Sequence, residues 1–244
     1  MMMKRLLSLL IVLTLCISVW AETYVVCVGI ANYKNISDLN LCEKDAIAMA
    51  NVYQKHTKHV ITMTGRYATK DNIVKALTDQ FARAKKDDMV VFFFSGHGYE
   101  KGFCPYDMTA NMKSGLSYDD IYAIFRKSKA TCKIILADAC MSGGLRKNTK
   151  TPTHQAKRSD VLLFLSSRTK EYSIENRLMD NGIFTTYLER GLRGGADENK
   201  DRVITAKEIF EFVKSGVKQI SNDKQHPVMW GNFDDNLVVM DWRK

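Results

Sequence analysis

The chain is built around an apolar stretch near its middle, Lys133-Ile-Ile-Leu-Ala-Asp-Ala-Cys-Met-Ser-Gly-Gly144. Its first residues predict a buried parallel strand, and the serine and two glycines predict the end of that strand. Asp138 and Cys140 therefore lie at the carboxyl end, where open α/β sheets place ligands and reactive groups. Taken alone, Cys140 would be an ordinary buried thiol, because free cysteines are among the most buried residues.

A second stretch of the same form changes that interpretation: Asp88-Met-Val-Val-Phe-Phe-Phe-Ser-Gly-His-Gly98. It predicts an apolar strand that ends at a histidine with glycine on both sides. A cysteine and a histidine at the ends of two parallel strands can meet in space, as a nucleophile and its base must. The imidazole then takes the thiol proton, and the thiolate attacks. We therefore predict a catalytic dyad of Cys140 and His97, with the amides of Gly98 and Cys140 as oxyanion donors.

Two motifs resemble those of the caspase and metacaspase superfamily of cysteine peptidases: Ser95-Gly-His-Gly98 and Asp138-Ala-Cys-Met-Ser-Gly143. His97 precedes Cys140 by 43 positions (140 − 97), near the separation of roughly 50 found in caspases. Residues 181–188 match the family's Gly-x-Phe-Thr helix entry, so the resemblance covers essentially all of the chain after residue 21. It implies an α/β fold, a three-layer sandwich with a mostly parallel central sheet and helices on both faces.

The residue two positions before the nucleophile bears on substrate choice. Caspases, which cut after aspartate, carry glutamine there, and this chain carries Asp138. A pocket with Asp138 and Asp45 would repel an acidic side chain and pair with arginine or lysine. Metacaspases resemble this arrangement, with Cys42 and Ser95 also matching their pocket residues, and they prefer basic residues. The resemblance thus implies a cysteine endopeptidase that cuts polypeptides after arginine or lysine.

Two alternatives to that function stay open. One is a caspase-like binding module that has lost catalysis, which an intact Cys140 and His97 argue against. The other is an arginine-directed peptidase of the clostripain or gingipain type, which shares the fold and the cysteine–histidine chemistry.

Apolar periodicity predicts strands that alternate with helices, which is typical of a mostly parallel sheet. One predicted helix begins near Leu41 and repeats apolar residues at Ala46, Met49, Ala50 and Tyr53. Thr69 and Ser117 are predicted to cap two more helices. The predicted strands span residues 23–30, 58–63, 89–94, 133–137, 161–166 and 237–240.

The first residues have the pattern of a secretory signal peptide. Lys4 and Arg5 precede an apolar run to residue 20 that is too short for a comfortable membrane span. Ala21 then offers a small residue for cleavage. We predict a signal peptide over 1–21 and export to the periplasm or the medium, with no membrane attachment after its removal. An uncleaved anchor and a lipoprotein signal at Cys16 are weaker alternatives.

The remaining chain, 22–244, is predicted to be one peptidase domain. Its large-subunit-like part spans 22–144, a polar linker spans 145–160, and its small-subunit-like part spans 161–244. The linker carries Lys147, Lys150 and Arg158, which a pocket selective for basic side chains would accept. We therefore predict self-processing within this loop, since exposed loops are where nicking concentrates.

Composition is that of a globular protein, with 45% hydrophobic and 26% charged residues. The formal net charge is +9, of which Lys4 and Arg5 contribute two. Basic and aromatic residues do not interleave as they do in nucleic-acid-binding proteins, so polypeptides are the expected partners and a monomer the expected state. Loss of Cys16 with the leader leaves five cysteines, and an odd number leaves at least one free thiol.

Two acidic groups are candidate calcium sites, and we expect no required cofactor and weak calcium dependence at most. The first, Asp107, Asp119 and Asp120, resembles acids of the activating calcium site in many metacaspases. However, Lys147 lies where that site would need a further acid.

The second acidic group has EF-hand spacing, with Arg202 at the turn position that needs glycine. Thr205 and Glu208 also form a capping-box pattern, and we favour the cap over bound calcium. The group consists of Asp197, Asn199, Asp201 and Glu208.

Overall fold

A computed structural model describes residues 21–99, 101–111, 113–140, 160–167 and 180–243. The strands within these residues are β1 (Thr23–Gly29), β2 (Val60–Thr64), β3 (Met89–Tyr99), β4 (Gly102–Phe103), β5 (Leu116–Ser117), β6 (Cys132–Cys140), β7 (Leu162–Leu165), β8 (Val203–Thr205), β9 (Val228–Trp230) and β10 (Val238–Asp241). The helices are α1 (Cys42–Gln54), α2 (Lys70–Ala82), α3 (Tyr118–Lys127), α4 (Ile183–Arg190) and α5 (Ala206–Ile220).

Six of the strands form the central sheet, in the order β2-β1-β3-β6-β7-β9. All neighbours in it are parallel except β7 and β9, which are antiparallel. Strands β4 and β5 form a short antiparallel ribbon on the end of β3, and β8 pairs with β10 apart from the main sheet. The predicted mostly parallel sheet is confirmed.

Helices cover both faces of this sheet. One buried cluster joins α2 and α3 to strand residues such as Val26 and Phe92. The other joins α1, α4 and α5 to the alternate strand residues, such as Val25 and Phe93. Because both faces are covered, the central strands contain continuous apolar runs, such as Val90–Phe94 in β3, instead of alternating apolar and polar residues. The predicted three-layer α/β sandwich is confirmed.

Local helix signals are also confirmed. The Thr69 side chain accepts a hydrogen bond from the Asn72 amide at the start of α2. Ser117 begins α3 in a capping box, and Thr205 begins α5 in the capping box predicted with Glu208. The apolar residues predicted to face the core from α1 are all buried: Ala46, Met49, Ala50 and Tyr53.

One strand is longer than predicted, and another lies outside the central sheet. Strand β3 does not end before its glycines but continues to Tyr99, so His97 lies within the strand. A Cβ at Gly96 would come 2.5 Å from the Tyr33 hydroxyl, so glycine here permits close packing and does not mark a turn. The final strand, β10, pairs with β8 and is not part of the central sheet.

No disulfide bond involves the cysteines whose side chains are described, which are Cys27, Cys42, Cys104 and Cys132. No helix in the described ranges is both long and apolar enough to cross a membrane.

Candidate active site

The neighbouring strands β3 and β6 bring the two predicted catalytic positions side by side. His97 is in register with Cys140, and Ser95 is in register with Asp138. The side chain of Cys140 lies outside the described part of the chain. The backbone pairing alone makes these two positions direct neighbours at the carboxyl edge of the sheet.

The loop after β1 holds His97 in place. The His97 amide donates to the Tyr33 hydroxyl oxygen at 2.8 Å, and the two rings lie 5.1 Å apart between centroids. Burial raises the pKa of Tyr33 well above its ordinary value, so this hydroxyl stays neutral.

The imidazole itself is oriented by Ser37. His97 Nε2 lies 2.9 Å from the carbonyl oxygen of Ser37, and the Ser37 hydroxyl lies 3.4 Å from the same nitrogen. A carbonyl oxygen can only accept a hydrogen bond, so Nε2 must carry the proton in this contact. In the neutral ring, Nδ1 is then the nitrogen that can take a proton.

Asp45 lies in the first turn of α1 and is buried, with 2% of its surface exposed. Its Oδ2 accepts a 2.7 Å hydrogen bond from the Ser95 hydroxyl. Its Oδ1 accepts a 2.9 Å hydrogen bond from the backbone amide of Gly182, just before α4. Ser95 thus links the strand that carries His97 to the Asp45 carboxylate.

Asp138 lies near the end of β6 and is also buried, at 6% exposed. Its Oδ2 accepts hydrogen bonds from the Thr185 hydroxyl at 2.8 Å and the Thr185 amide at 3.2 Å. The amino end of α4 therefore donates to both carboxylates, and a helix amino end favours negative charge.

Gly182 shows how closely the two acids approach each other. A Cβ at this glycine would lie 2.5 Å from Asp138 Oδ2 and 3.3 Å from Asp45 Oδ2. The structure thus brings Asp45 and Asp138 together, as the resemblance implied. Two buried carboxylates in one place make a site of negative charge suited to a cationic side chain.

The other predicted site residues lie around this centre. Cys42 is the first residue of α1 and is buried at 5% exposed. Gly98 directly follows His97, and its Cα pairs with that of Phe103 in β4. The oxyanion role of the Gly98 and Cys140 amides stays a prediction. The predicted self-processing residues, Lys147, Lys150 and Arg158, lie outside the described residues.

In the first candidate calcium group, Asp107 and Asp120 both contact Lys70. Asp107 Oδ1 accepts a 2.9 Å hydrogen bond from the Lys70 amide, and Asp120 Oδ2 lies 3.1 Å from Lys70 Nζ. Burial acts to raise the pKa of Asp120, but the Ser117 and Lys70 hydrogen bonds outweigh it and lower that pKa. Asp119 is exposed on α3.

The second candidate group directs its oxygens to its own loop. Asp197 accepts hydrogen bonds from the amides of Asp201 and Arg202. Asn199 accepts from the Asp201 amide, and Asp201 accepts from Val203. The Glu208 carboxylate instead accepts from Thr205 in the capping box. Among the residues described, no three or more histidine, cysteine or acidic side chains are arranged to hold a metal ion.

Sequence reasoning missed Tyr33, Ser37 and Thr185. Tyr33 and Ser37 belong to an irregular loop and reach His97 across 64 and 60 positions of the chain. Thr185 lies in the Gly-Ile-Phe-Thr segment, from which the resemblance predicts only a helix entry. That the segment recurs in the family was the one signal that could have pointed to this residue.

Comparisons with known proteins agree with the architecture. A family model described as the caspase domain matches residues 23–238. The crystal structure of protein GSU0716 from Geobacter sulfurreducens superposes with a TM-score of 0.67 at 17% identity, covering 91% of this chain and 98% of that one. No curated protein matches the sequence significantly. At this identity, the structural likeness concerns the fold.

Proposed function

The chain belongs to the caspase-domain family, and from that premise we propose that it is a cysteine endopeptidase with a Cys140–His97 dyad. The observation that carries the proposal is the backbone register of His97 with Cys140 on adjacent parallel strands. This register, together with the Ser37 contact at Nε2, leaves Nδ1 of the imidazole to serve the thiol.

The chemistry follows from these positions. Nδ1 of His97 takes the thiol proton, and the Cys140 thiolate attacks the carbonyl carbon of the scissile bond. The amides of Gly98 and Cys140 are proposed to stabilise the resulting oxyanion. Collapse breaks the carbon–nitrogen bond, and the imidazolium gives its proton to the departing amine. Water, deprotonated by the same imidazole, then hydrolyses the thioester and restores the thiol.

Substrate preference is proposed to be basic at the residue before the cut. Asp45 and Asp138 are buried together beside the sheet edge that carries the dyad. A buried arginine or lysine side chain would neutralise this charge, whereas an acidic side chain would add to it.

Variants at the two positions of the proposed dyad test the proposal. Cys140→Ala and His97→Ala should each remove nearly all cleavage of arginine peptides by the exported protein, with circular dichroism unchanged. An arginine-directed covalent inhibitor should label wild type at Cys140 and leave Cys140→Ala unlabelled. Substantial turnover by folded Cys140→Ala protein would overturn the dyad, and a wild type that neither turns over nor labels would indicate the silent binding module.

A further inference from the structure

Asp88 lies at the end of the sheet opposite the candidate active site, just before β3. It is buried, with 4% of its surface exposed. Its Oδ1 accepts a 2.8 Å hydrogen bond from the Glu22 amide, and its Oδ2 accepts a 2.7 Å hydrogen bond from the Lys85 amide. The proposed catalytic chemistry makes no use of this carboxylate.

The two amides satisfy hydrogen bonding at Asp88 but bring no countercharge. Within the described ranges, no lysine, arginine or histidine side chain forms an ion pair with it. A carboxylate removed from water is costly unless a charge of the opposite sign accompanies it. Among the residues described, Asp88 therefore has no ion-pair partner, and the Glu22 nitrogen already lies within hydrogen-bond distance of it.

That nitrogen belongs to Glu22, whose carbonyl and carboxylate also have neighbouring partners. The Glu22 carbonyl accepts a 2.9 Å hydrogen bond from the Met89 amide, and its carboxylate lies 3.7 Å from His59 Nε2. Glu22 directly precedes β1, a central strand. It is also the residue that would become the first of the chain if the predicted leader were removed after Ala21.

We propose that Asp88 is the docking site for the α-ammonium group of Glu22, created when the Ala21–Glu22 peptide bond is hydrolysed. Water supplies the hydroxyl of the new Ala21 carboxyl group, which departs with the leader. The Glu22 amine keeps its place and takes up a proton, because an α-amine has an ordinary pKa near 7.7–8.0 and a neighbouring carboxylate favours its charged form.

The exchange replaces a neutral donor by a charged one at the same atom. The Glu22 amide already donates to a charged acceptor, and the ammonium adds to this hydrogen bond the attraction between two opposite charges. Removal of the leader thus stabilises the start of β1 against β3. This inference concerns maturation of the fold and does not depend on the proposed peptidase activity.

The test compares two amino termini in the Cys140→Ala protein, so that self-cleavage cannot interfere. One form begins at Glu22 with a free amine, and the other carries Gly-Ser-Gly before Glu22. The Glu22 form should melt higher by about 2–4 °C, the shift that a 1 kcal/mol effect gives in a chain of this size. Equal melting temperatures would overturn the proposal.

Two variants, each of which removes one acid, test whether the difference in melting temperature depends on Asp88. With Asp88→Asn the two forms should melt together, because the acceptor shape remains and the charge is gone. With Asp87→Asn, which removes an exposed neighbouring acid, the difference should persist. A difference that survives Asp88→Asn would also overturn the proposal.

A third arm avoids any change at Asp88. In a chain that begins at residue 22 with Glu22→Gln, glutaminyl cyclase closes the terminal residue to a neutral lactam and releases ammonia. The melting temperature should fall on cyclisation, and an unchanged value would contradict the docking site. Mass spectrometry of the exported protein should give Glu22 as the first residue, and any other first residue would contradict the proposed cleavage.

Discussion

Asp45 and Asp138 each receive two hydrogen bonds from groups fixed in secondary structure. Ser95 and Gly182 donate to Asp45, and Thr185 donates twice to Asp138. Such contacts orient the carboxylates before a substrate arrives, so little has to be rearranged on binding. The proposed pocket should therefore select substrates by the charge of the side chain that it binds.

We expect Asp138→Asn and Asp45→Asn to weaken cleavage after arginine selectively. Truncating one partner of a buried charge pair costs about 2–5 kcal/mol, which is at least tenfold in kcat/KM. Matched peptides with arginine or the neutral citrulline before the cut measure the effect. The variants should lose activity on arginine and keep it on citrulline. The exposed Asp119 supplies the control, and Asp119→Asn should behave as wild type.

Contradiction of the basic pocket would take one of two forms. One is a wild type that cuts best after aspartate, and the other is a full preference for arginine over citrulline in both variants.

Thr185 is expected to position Asp138. Its hydroxyl donates to a buried carboxylate, and a hydrogen bond to a charged group is worth about 1.5–3 kcal/mol. Thr185→Val, which keeps the shape and removes the donor, should raise KM for arginine peptides more than it lowers kcat. Thr185→Ser, which restores the donor, should recover most of the loss. Equal effects of the two variants would indicate packing alone.

The residues of this site differ in how far the sequence predicts them. Asp138 and His97 lie near the carboxyl ends of strands that are visible in the sequence as apolar runs, so their place at the sheet edge could be predicted. Ser37 and Tyr33 act through a loop without periodicity, and their contacts with His97 exist only after the chain has folded. No local sequence pattern predicts such contacts.

At the scale of elements, predictions succeed where the signal is local. The capping box of Thr205 and Glu208 spans four residues and forms as expected. The predicted end of β3 was wrong, because a glycine in the sequence can indicate either a turn or close packing inside a strand. Gly96 pairs with Ala139 inside the strand and makes room for Tyr33, and this packing requirement comes from another element.

The contacts of Lys70, between the start of α2 and the start of α3, argue against a calcium requirement. Lys70 donates its amide to Asp107 and places its ammonium beside Asp120. Calcium takes six to eight oxygen ligands, and an ammonium in that position opposes it. We expect a calcium chelator to leave kcat/KM for arginine peptides unchanged. Lys70→Met provides the matched control, since it removes this ammonium. A large loss with chelator that calcium alone restores would contradict the expectation.

At the scale of the whole molecule, the described residues before position 141 and those from position 160 onward contribute strands to one sheet and side chains to one cluster around Asp45 and Asp138. Strands β6 and β7 pair from Ile134 with Leu162 to Ala137 with Leu165. The α4 amino end then reaches across to Asp45 and Asp138. Periodicity predicted most of the strands, but not their order in the sheet, because order depends on contacts between segments distant in sequence.

This shared architecture bears on the proposed self-processing of the 145–160 linker. Lys147, Lys150 and Arg158 carry the side chains that a pocket of two carboxylates would select. A tether to the same domain keeps them at high effective concentration near the dyad. The β6–β7 pairing and the α4 contacts lie outside the linker, so they should hold the two fragments together after a cut.

We expect purified wild type to run as two bands on a denaturing gel and as one species in gel filtration. Mass spectrometry should place the cut after Lys147, Lys150 or Arg158. Cys140→Ala should stay a single band, and adding active wild type should cut it if the reaction also proceeds between molecules. Replacing the three predicted cut residues, Lys147, Lys150 and Arg158, by glutamine should keep the chain intact while cleavage of arginine peptides continues, because the proposed pocket is unchanged. A wild type that cuts such peptides yet remains one chain after long incubation would show that the linker is only a connection.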